Sequence, residues 1–331
     1  MRKLEILCIS CSVLCADSTW AQQSSASAGT VVGVAYTVPN TAFQVAPGQV
    51  VSLMVYGLEY RLTQPVQAPG TPLPKSLAGF SVDFQQFQTT IPVPILGVQQ
   101  TACFSASIGP CSALTNIVIQ VPYESLPDCL VCGILEGARF FLVSDMGQVK
   151  ATVAVDVPGD NIHIIDPRDS TSQPFQSGTQ PQLSEKVILH GDGTSVDSTH
   201  PATPGEELVT YVFGLGLTDP SVKTGQSSPA SAVRFDPNLA LTQSGIGLFF
   251  DFRPNAPPSR PSRYVAPVLV AANYIGLVPG LVGLYQVNFT VPPVPAAAPP
   301  CNADNQYSNL TVNLVGAWSF DGGGICVKTH Q

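Results

Sequence analysis

Short apolar runs, each closed by Gly, Pro or Asn, recur along nearly the whole chain. Gln49–Tyr56, Phe80–Phe84, Thr89–Leu96, Leu114–Val121, Arg139–Val143 and Val149–Val157 are rich in β-branched and aromatic residues. The same texture returns at Lys186–His190, Leu208–Phe213, Gly247–Phe252, Pro267–Ala271, Tyr285–Val291, Leu310–Leu314 and Ile325–Lys328, with an earlier run at Thr30–Val38. Runs of this length between turn formers predict β-strands. Within 285–291 the polar Gln286 and Asn288 alternate with apolar residues, which places them on one strand face. There they are expected to satisfy backbone groups at a strand edge or loop. His190-Gly191-Asp192-Gly193-Thr194 predicts a hairpin turn, because Asp-Gly suits positions that need positive φ.

One part of the pattern is written twice. Pro47-Gly48 opens an apolar stretch that stops at Gly57-Leu58, and Pro204-Gly205 opens one that stops at Gly214-Leu215. Each copy is followed by a run ending in Val-Pro, at Val121-Pro122 and Val291-Pro292. A turn, a strand, a Gly stop and a later strand closed by Pro predict a sandwich domain, here in two copies. The expected fold is therefore all-β: two tandem Ig-like β-sandwiches with short or no helices. Their expected bounds are 39–157 and 185–331. Polar, aperiodic residues 158–184 lie between them as a linker, and 22–38 form a leader passing into a first strand.

Composition reinforces this reading. The 331 residues hold 31 Pro and 28 Gly, so helices of ordinary length have almost nowhere to form. Hydrophobic residues make up 44% of the chain and charged ones only 11%, which describes a folded protein with a polar, weakly charged surface. The formal charge of −8 and the lack of a basic cluster exclude nucleic acid and anionic lipid as expected partners. Arg2, Lys3, the apolar Ile6–Ala16 and the small residues before Gln22 predict a signal peptide over 1–21, cleaved near Ala21. No segment reaches the ~20 apolar residues of a membrane span. A lipoprotein signal acylated at Cys8, Cys11 or Cys15 would need a better lipobox than the residues ahead of them provide. The expected location is thus outside the cell or in the outer envelope.

Three of nine cysteines fall in the signal, leaving Cys103, Cys111, Cys129, Cys132, Cys301 and Cys326 as disulfide candidates in an oxidising compartment. Cys301 and Cys326 bracket the strand expected at 309–315 and the turn-rich Asp321-Gly322-Gly323-Gly324, so a hairpin-like return brings them together. Cys103 and Cys111 flank Gly109-Pro110 and can close a small loop. Cys129-Leu130-Val131-Cys132 has the spacing of a redox motif but no βαβ setting, and a zinc ribbon needs a second such pair; a structural disulfide is the expected reading.

Tyr274-Ile275-Gly276-Leu277 through Gly283-Leu284-Tyr285-Gln286-Val287-Asn288-Phe289-Thr290-Val291-Pro292 resembles the hallmark of the Solibacter uncharacterized C-terminal domain family of exported acidobacterial proteins. Asp192-Gly193 to Pro201-Ala202, with Pro204-Gly205 to Gly216, is similar to that family's preceding motif. Ala46-Pro47-Gly48, Leu73-Pro74 to Gly79 and Val121-Pro122-Tyr123-Glu124 are looser counterparts of its N-terminal part. The Pro-Gly, strand, Gly-Leu arrangement is in turn similar to IPT/TIG-type Ig-like domains. The resemblance spans about residues 40–328 and implies fold and export, with no catalytic residue to carry over. The six cysteines are not part of the family pattern.

No chemistry-bearing motif stands out. A serine nucleophile lacks its Gly-x-Ser-x-Gly elbow. His163, His190, His200 and His330 are scattered without metal spacing and read as solvated loop residues. Glu124, Asp156, Glu206 and Glu207 have no sequence feature pairing them across a cleft. Asp156–Asp160 and Asp192–Asp197 have calcium-compatible oxygens but read as ordinary turn carboxylates. No cofactor or metal is expected. The function expected is a non-catalytic structural or binding module, with extracellular polysaccharide or another surface protein as candidate partner. The alternative is a secreted carbohydrate-active hydrolase or its accessory domain. Candidate ligand-loop aromatics are Tyr60, Tyr264, Tyr307 and Trp318.

Overall fold

The computed structural model describes residues 29–36, 43–101, 113–127, 139–167, 169, 186–231, 233–235, 246–254, 268–302 and 308–329. Among them all regular structure is β, arranged in four sheets whose strands pair antiparallel. The N-terminal half supplies β1 (Thr30–Ala35), β2 (Val50–Leu58), β3 (Val66–Gln67), β4 (Ser76–Leu77), β5 (Phe80–Gln86), β6 (Thr89–Val93), β7 (Ile95–Thr101), β8 (Ala113–Gln120), β9 (Arg139–Asp145) and β10 (Gln148–Ala154). One of its sheets runs β1-β2-β8-β7-β3; the other runs β10-β9-β5-β4, with β6 also on β5. The C-terminal half supplies β11 (His163–Ile164), β12 (Ile188–Leu189), β13 (Glu207–Phe213), β14 (Thr218–Asp219), β15 (Arg234–Phe235), β16 (Gly247–Asp251), β17 (Val268–Val270), β18 (Ala272–Leu277), β19 (Tyr285–Thr290), β20 (Leu310–Val315) and β21 (Phe320–Ile325). Here the larger sheet runs β11-β13-β19-β18-β15-β14, with β12 also on β13, and the smaller runs β17-β16-β20-β21. The chain is thus an all-β protein of the sandwich class.

Each half has its own apolar core. The first gathers Leu53, Val55, Phe80, Phe84, Ile117 and Phe141 among others, and the second Leu208, Val212, Phe250, Tyr285, Phe289 and Val312. Alternation explains both: along β5, Phe80, Val82 and Phe84 are buried while Ser81, Asp83 and Gln85 are only half-buried.

The duplicated sequence pattern folds the same way twice. Gly48 N–H donates to Val121 O (3.1 Å) and Val121 N–H to Gln49 O (2.8 Å). In the second copy Gly205 N–H donates to Val291 O (2.8 Å) and Val291 N–H to Glu206 O (2.9 Å). Gly48 and Gly205 both take positive φ, 75° and 87°, which is the conformation that the Pro-Gly turn needs. Each turn feeds a strand, β2 or β13, which pairs with the strand closed by Val-Pro, β8 or β19.

Several boundaries differ from expectation. The run Thr89–Leu96 is two strands: β6 pairs with β5 and β7 with β8, and the chain changes sheet at Pro94. The last strand lies at Phe320–Ile325, not Ile325–Lys328, so Gly322, Gly323 and Gly324 belong to a strand. Their partners are Asn313, Val312 and Thr311, whose ladder fixes a segment with almost no strand propensity of its own. Within the span read as a linker, Ile162 and Ile164 enter the second core and His163–Ile164 forms β11. The anchor is Asp160, whose Oδ1 accepts from Ser319 N (3.0 Å) and Ser319 Oγ (2.7 Å), and whose Oδ2 accepts from Ala317 N (3.0 Å) and Trp318 N (3.3 Å).

Cys301 and Cys326 form a disulfide, with Cα atoms 5.5 Å apart. Cys103, Cys111, Cys129 and Cys132 lie outside the described residues. The bond ties the stretch ahead of β20 to the end of β21. A Cys301→Ser/Cys326→Ser variant is expected to lose about 3 kcal/mol of unfolding free energy. Urea denaturation of the oxidised wild type and the variant measures it; coincident curves would contradict the expectation.

The two halves touch through polar backbone and amide groups. Gln49 Nε2 donates to Asn161 O (3.1 Å), Asn161 Nδ2 to Gln44 O (2.7 Å), and Gly225 N to Gln120 Oε1 (2.7 Å). Leu73 N donates to Gly225 O (2.7 Å) and Tyr123 N to Thr224 Oγ1 (2.8 Å).

Candidate functional site

The larger C-terminal sheet turns one face to the core and leaves the other to be explained. Leu208, Thr210 and Val212 of β13 and Val287 and Phe289 of β19 point inward and are buried. Val209, Tyr211, Gln286, Asn288 and Tyr274 occupy the opposite face and are half-buried, with Glu207 and Asn273 exposed beside them. Register sets the rows: Val209, Asn288 and Tyr274 lie across from one another, and so do Tyr211, Gln286 and Gly276.

An oriented chain of amides crosses this face. Gln286 Nε2 donates to Asn288 Oδ1 (2.8 Å), and Asn288 Nδ2 donates to Glu207 Oε1 (3.0 Å). From the other side Asn273 Nδ2 donates to Glu207 Oε2 (2.8 Å) and to Thr290 Oγ1 (3.0 Å). The bonds from Asn273 and Asn288 hold the Glu207 carboxyl below its ordinary value, so it stays an acceptor and turns each amide NH2 toward itself. Asn273 is there because β18 bulges against β19 between Ala272 and Tyr274, which brings an extra polar side chain to the face.

Two phenols border the chain. A Cβ on Gly276 would lie 2.2 Å from Tyr274 Oη and 2.6 Å from its Cζ, so Tyr274 leans along its own strand and its phenol end covers Gly276. Only glycine permits that approach. The phenol end of Tyr274 thereby joins the row that holds Gln286 and Tyr211, one strand to either side of Gln286. At ~4.8 Å per strand, the backbone positions of Tyr211 and Gly276 in that row are ~10 Å apart. Neither phenol oxygen hydrogen-bonds to another described residue. The result is a sheet face on which two tyrosines flank amide and carboxylate groups.

The aromatics singled out from sequence do not build this face. Tyr60, 42% exposed, follows β2 in the N-terminal half. Trp318, 40% exposed, sits in the β20–β21 connection near Gly159. Tyr264 and Tyr307 lie outside the described residues. Gln286 and Asn288 do share a strand face as expected, but β19 has a neighbour on each side, and the two amides bond to side chains, not to an edge or loop.

Two of the histidines differ from the solvated loop residues expected; His200, with its side chain 66% exposed, fits that expectation, and His330 lies outside the described residues. His190 Nδ1 meets Glu206 Oε1 at 2.6 Å and its Nε2 meets the His200 carbonyl at 3.0 Å, with the side chain 15% exposed. His163 Nε2 meets Asp169 Oδ2 at 2.9 Å and its Nδ1 lies 3.4 Å from Asp321 Oδ2, at 17% exposure. Both nitrogens of each ring face acceptors, so neither ring offers a free lone pair to a nucleophile or a metal. Of the carboxylates responsible only Asp169 is near in sequence, while Glu206 and Asp321 come from elsewhere in the fold, which explains why local sequence pointed to solvent. Glu124 takes a hydrogen bond from Thr224 Oγ1, and Asp192 and Asp197 close local turns by accepting from Thr194 and Thr199. Among the described residues no group of three or more His, Cys, Asp or Glu is placed to hold a metal ion. No helix among them is long and apolar enough to cross a membrane.

Fold and face together define an all-β, sandwich-class protein with a polar–aromatic sheet surface. Comparison with known proteins finds no matching family model and no matching curated protein.

Proposed function

We propose that this protein is an exported, non-catalytic binding module that recognises an uncharged polysaccharide on the outer face of its larger C-terminal sheet. The observation that carries the reading is the row Tyr211–Gln286–Gly276, with the Tyr274 phenol lying over Gly276, so that two tyrosines flank an oriented amide on one sheet face. Sugar rings present C–H faces to aromatic rings and hydroxyls to amides and carboxylates, and this row supplies both kinds of partner side by side. The ionised Glu207 and the formal charge of −8 favour a neutral polymer over an anionic one. The Cys301–Cys326 bond supports an oxidising compartment, hence export.

The test is retention of the mature chain on insoluble neutral polysaccharides such as chitin, cellulose and mannan. Tyr274→Ala and Gln286→Ala are each expected to weaken binding about tenfold, near 1.4 kcal/mol, while Tyr60→Ala leaves it unchanged. Retention on none of the polymers would refute the function. Retention that survives both substitutions on the sheet would refute the site.

A further inference from the structure

We propose that the contact between the two halves is a proton-dependent clamp, in which the imidazolium of His163 is gripped by Asp169 and Asp321 and stacked on Tyr36, and loss of its proton loosens the N-terminal half. Tyr36 follows β1 in the N-terminal half; His163 is in β11, in the C-terminal half. Their ring centroids are 3.7 Å apart at an interplanar angle of 7°, and Phe213 lies parallel to Tyr36 with its centroid 5.8 Å away. Tyr36 is held in place by Gln49, whose Nε2 donates to its hydroxyl at 2.8 Å. The stack is thus the aromatic centre of a junction whose periphery is amide and backbone bonds.

Geometry requires the charged ring. A neutral imidazole has one N–H, and the other nitrogen would turn a lone pair on a carboxylate oxygen at 2.9 Å or 3.4 Å. The groups facing His163 come from every element packed around it: Asp169 just beyond β11, Lys186 ahead of β12, Asp321 of β21 and Tyr36 from the other half. Lys186 Nζ is itself bound to Asp321 Oδ2 (2.6 Å) and to Ile164 O (2.9 Å). Among the described residues His163 and Lys186 are the cations set against the Asp169 and Asp321 carboxylates. Without that proton one of the two carboxylates loses its charged donor, and the cation–π component of the Tyr36 contact disappears.

Burial works against the proton on His163 and is outweighed by the bonds to Asp169 and Asp321, even with Lys186 opposing, so its pKa is raised above the ordinary 6.5. Burial holds the Tyr36 phenol well above 10. Despite burial, His163 and Lys186 hold Asp321 down at about 2. Neither Tyr36 nor Asp321 therefore changes charge in the window where His163 does. A histidine with a raised folded pKa contributes its full stability below 6.5 and loses it as pH rises through the raised value. The junction is accordingly tight in acidic and neutral surroundings and loosens on the alkaline side.

The experiment combines small-angle X-ray scattering of the mature chain from pH 5 to 10 with NMR titration of the imidazole signals. The wild type is expected to expand over the pH interval in which His163 titrates. His163→Gln is expected to show no expansion over that interval. Asp169→Asn is expected to move the midpoint about one pH unit lower, a readout that survives if His163→Gln fails to fold. Unchanged scattering across His163 titration, or an expansion that persists at the same pH in Asp169→Asn, would overturn the clamp. His190→Gln, whose ring is bound to Glu206 far along the chain, serves as control and is expected to leave the scattering transition in place.

Discussion

Asp160→Ala is expected to lower the unfolding free energy by about 4 kcal/mol. The carboxylate is buried and accepts four donors, from Ala317 N, Trp318 N, Ser319 N and Ser319 Oγ. Each oxygen takes two of them, so alanine leaves four polar groups without an acceptor where water has little access. Gly316, at the start of the same connection, has no room for a side chain, since its Cβ would lie 2.3 Å from Asp160 Oδ1. Asp160→Asn separates charge from shape: one oxygen remains an acceptor and the NH2 faces two donors. It is expected to lose about half as much as alanine. Urea denaturation of the three proteins decides it, and equal losses in both variants, or a loss below about 1 kcal/mol in alanine, would contradict the assignment.

The second large effect is expected at Gly214→Ala, again about 4 kcal/mol. Gly214 has φ of 82°, and a Cβ there would lie 2.0 Å from Asn161 O and 2.8 Å from Asn161 C. The obstacle is backbone, so no rotamer relieves it, and Asn161 N is at the same time bonded to Gly214 O at 2.7 Å. The substitution must displace Asn161, which carries the contacts to Gln44 and Gln49 of the other half. Gly205→Ala is the internal comparison. Its φ is 87°, but its Cβ meets nothing within 4 Å, so only the left-handed backbone term of about 1–2 kcal/mol applies. Thermal and urea unfolding of both variants isolate the close approach; equal losses would show that it has no cost of its own.

The fold was legible where local pattern and pairing agree. Val50–Leu58 and Tyr285–Thr290 announce themselves because apolar and β-branched residues lie between Pro-Gly, Gly and Val-Pro boundaries, and the structure places strands there. Gly322–Gly324 was read as turn because glycine prefers turns, yet β20 supplies the ladder that makes it a strand. Ala272–Leu277 was not marked as a strand, since Gly276 interrupts it and only its partners on β19 and β15 organise it. The candidate face was half legible. The alternation of Gln286 and Asn288 was visible, but Glu207 is about eighty residues away in sequence, and Tyr274 reaches the row only because Gly276 lets it lie down. The His163 clamp was illegible for the same reason: Tyr36 and Asp321 meet that ring only through tertiary packing. Its one local clue was Asp169, six residues on.

The bonds between the halves join positions far apart in sequence, such as Gln49 with Asn161 and Gln120 with Gly225. Each half gathers its core chiefly from its own residues, with Phe213 of the second half packed against the first core, so the contact between the halves is expected to assemble after them. Side chains in that seam therefore carry little weight in the rate at which either half forms. They act instead as a latch on the way out: weakening them speeds opening while leaving folding of the halves nearly untouched. Resistance to proteases then rests on how slowly that seam parts.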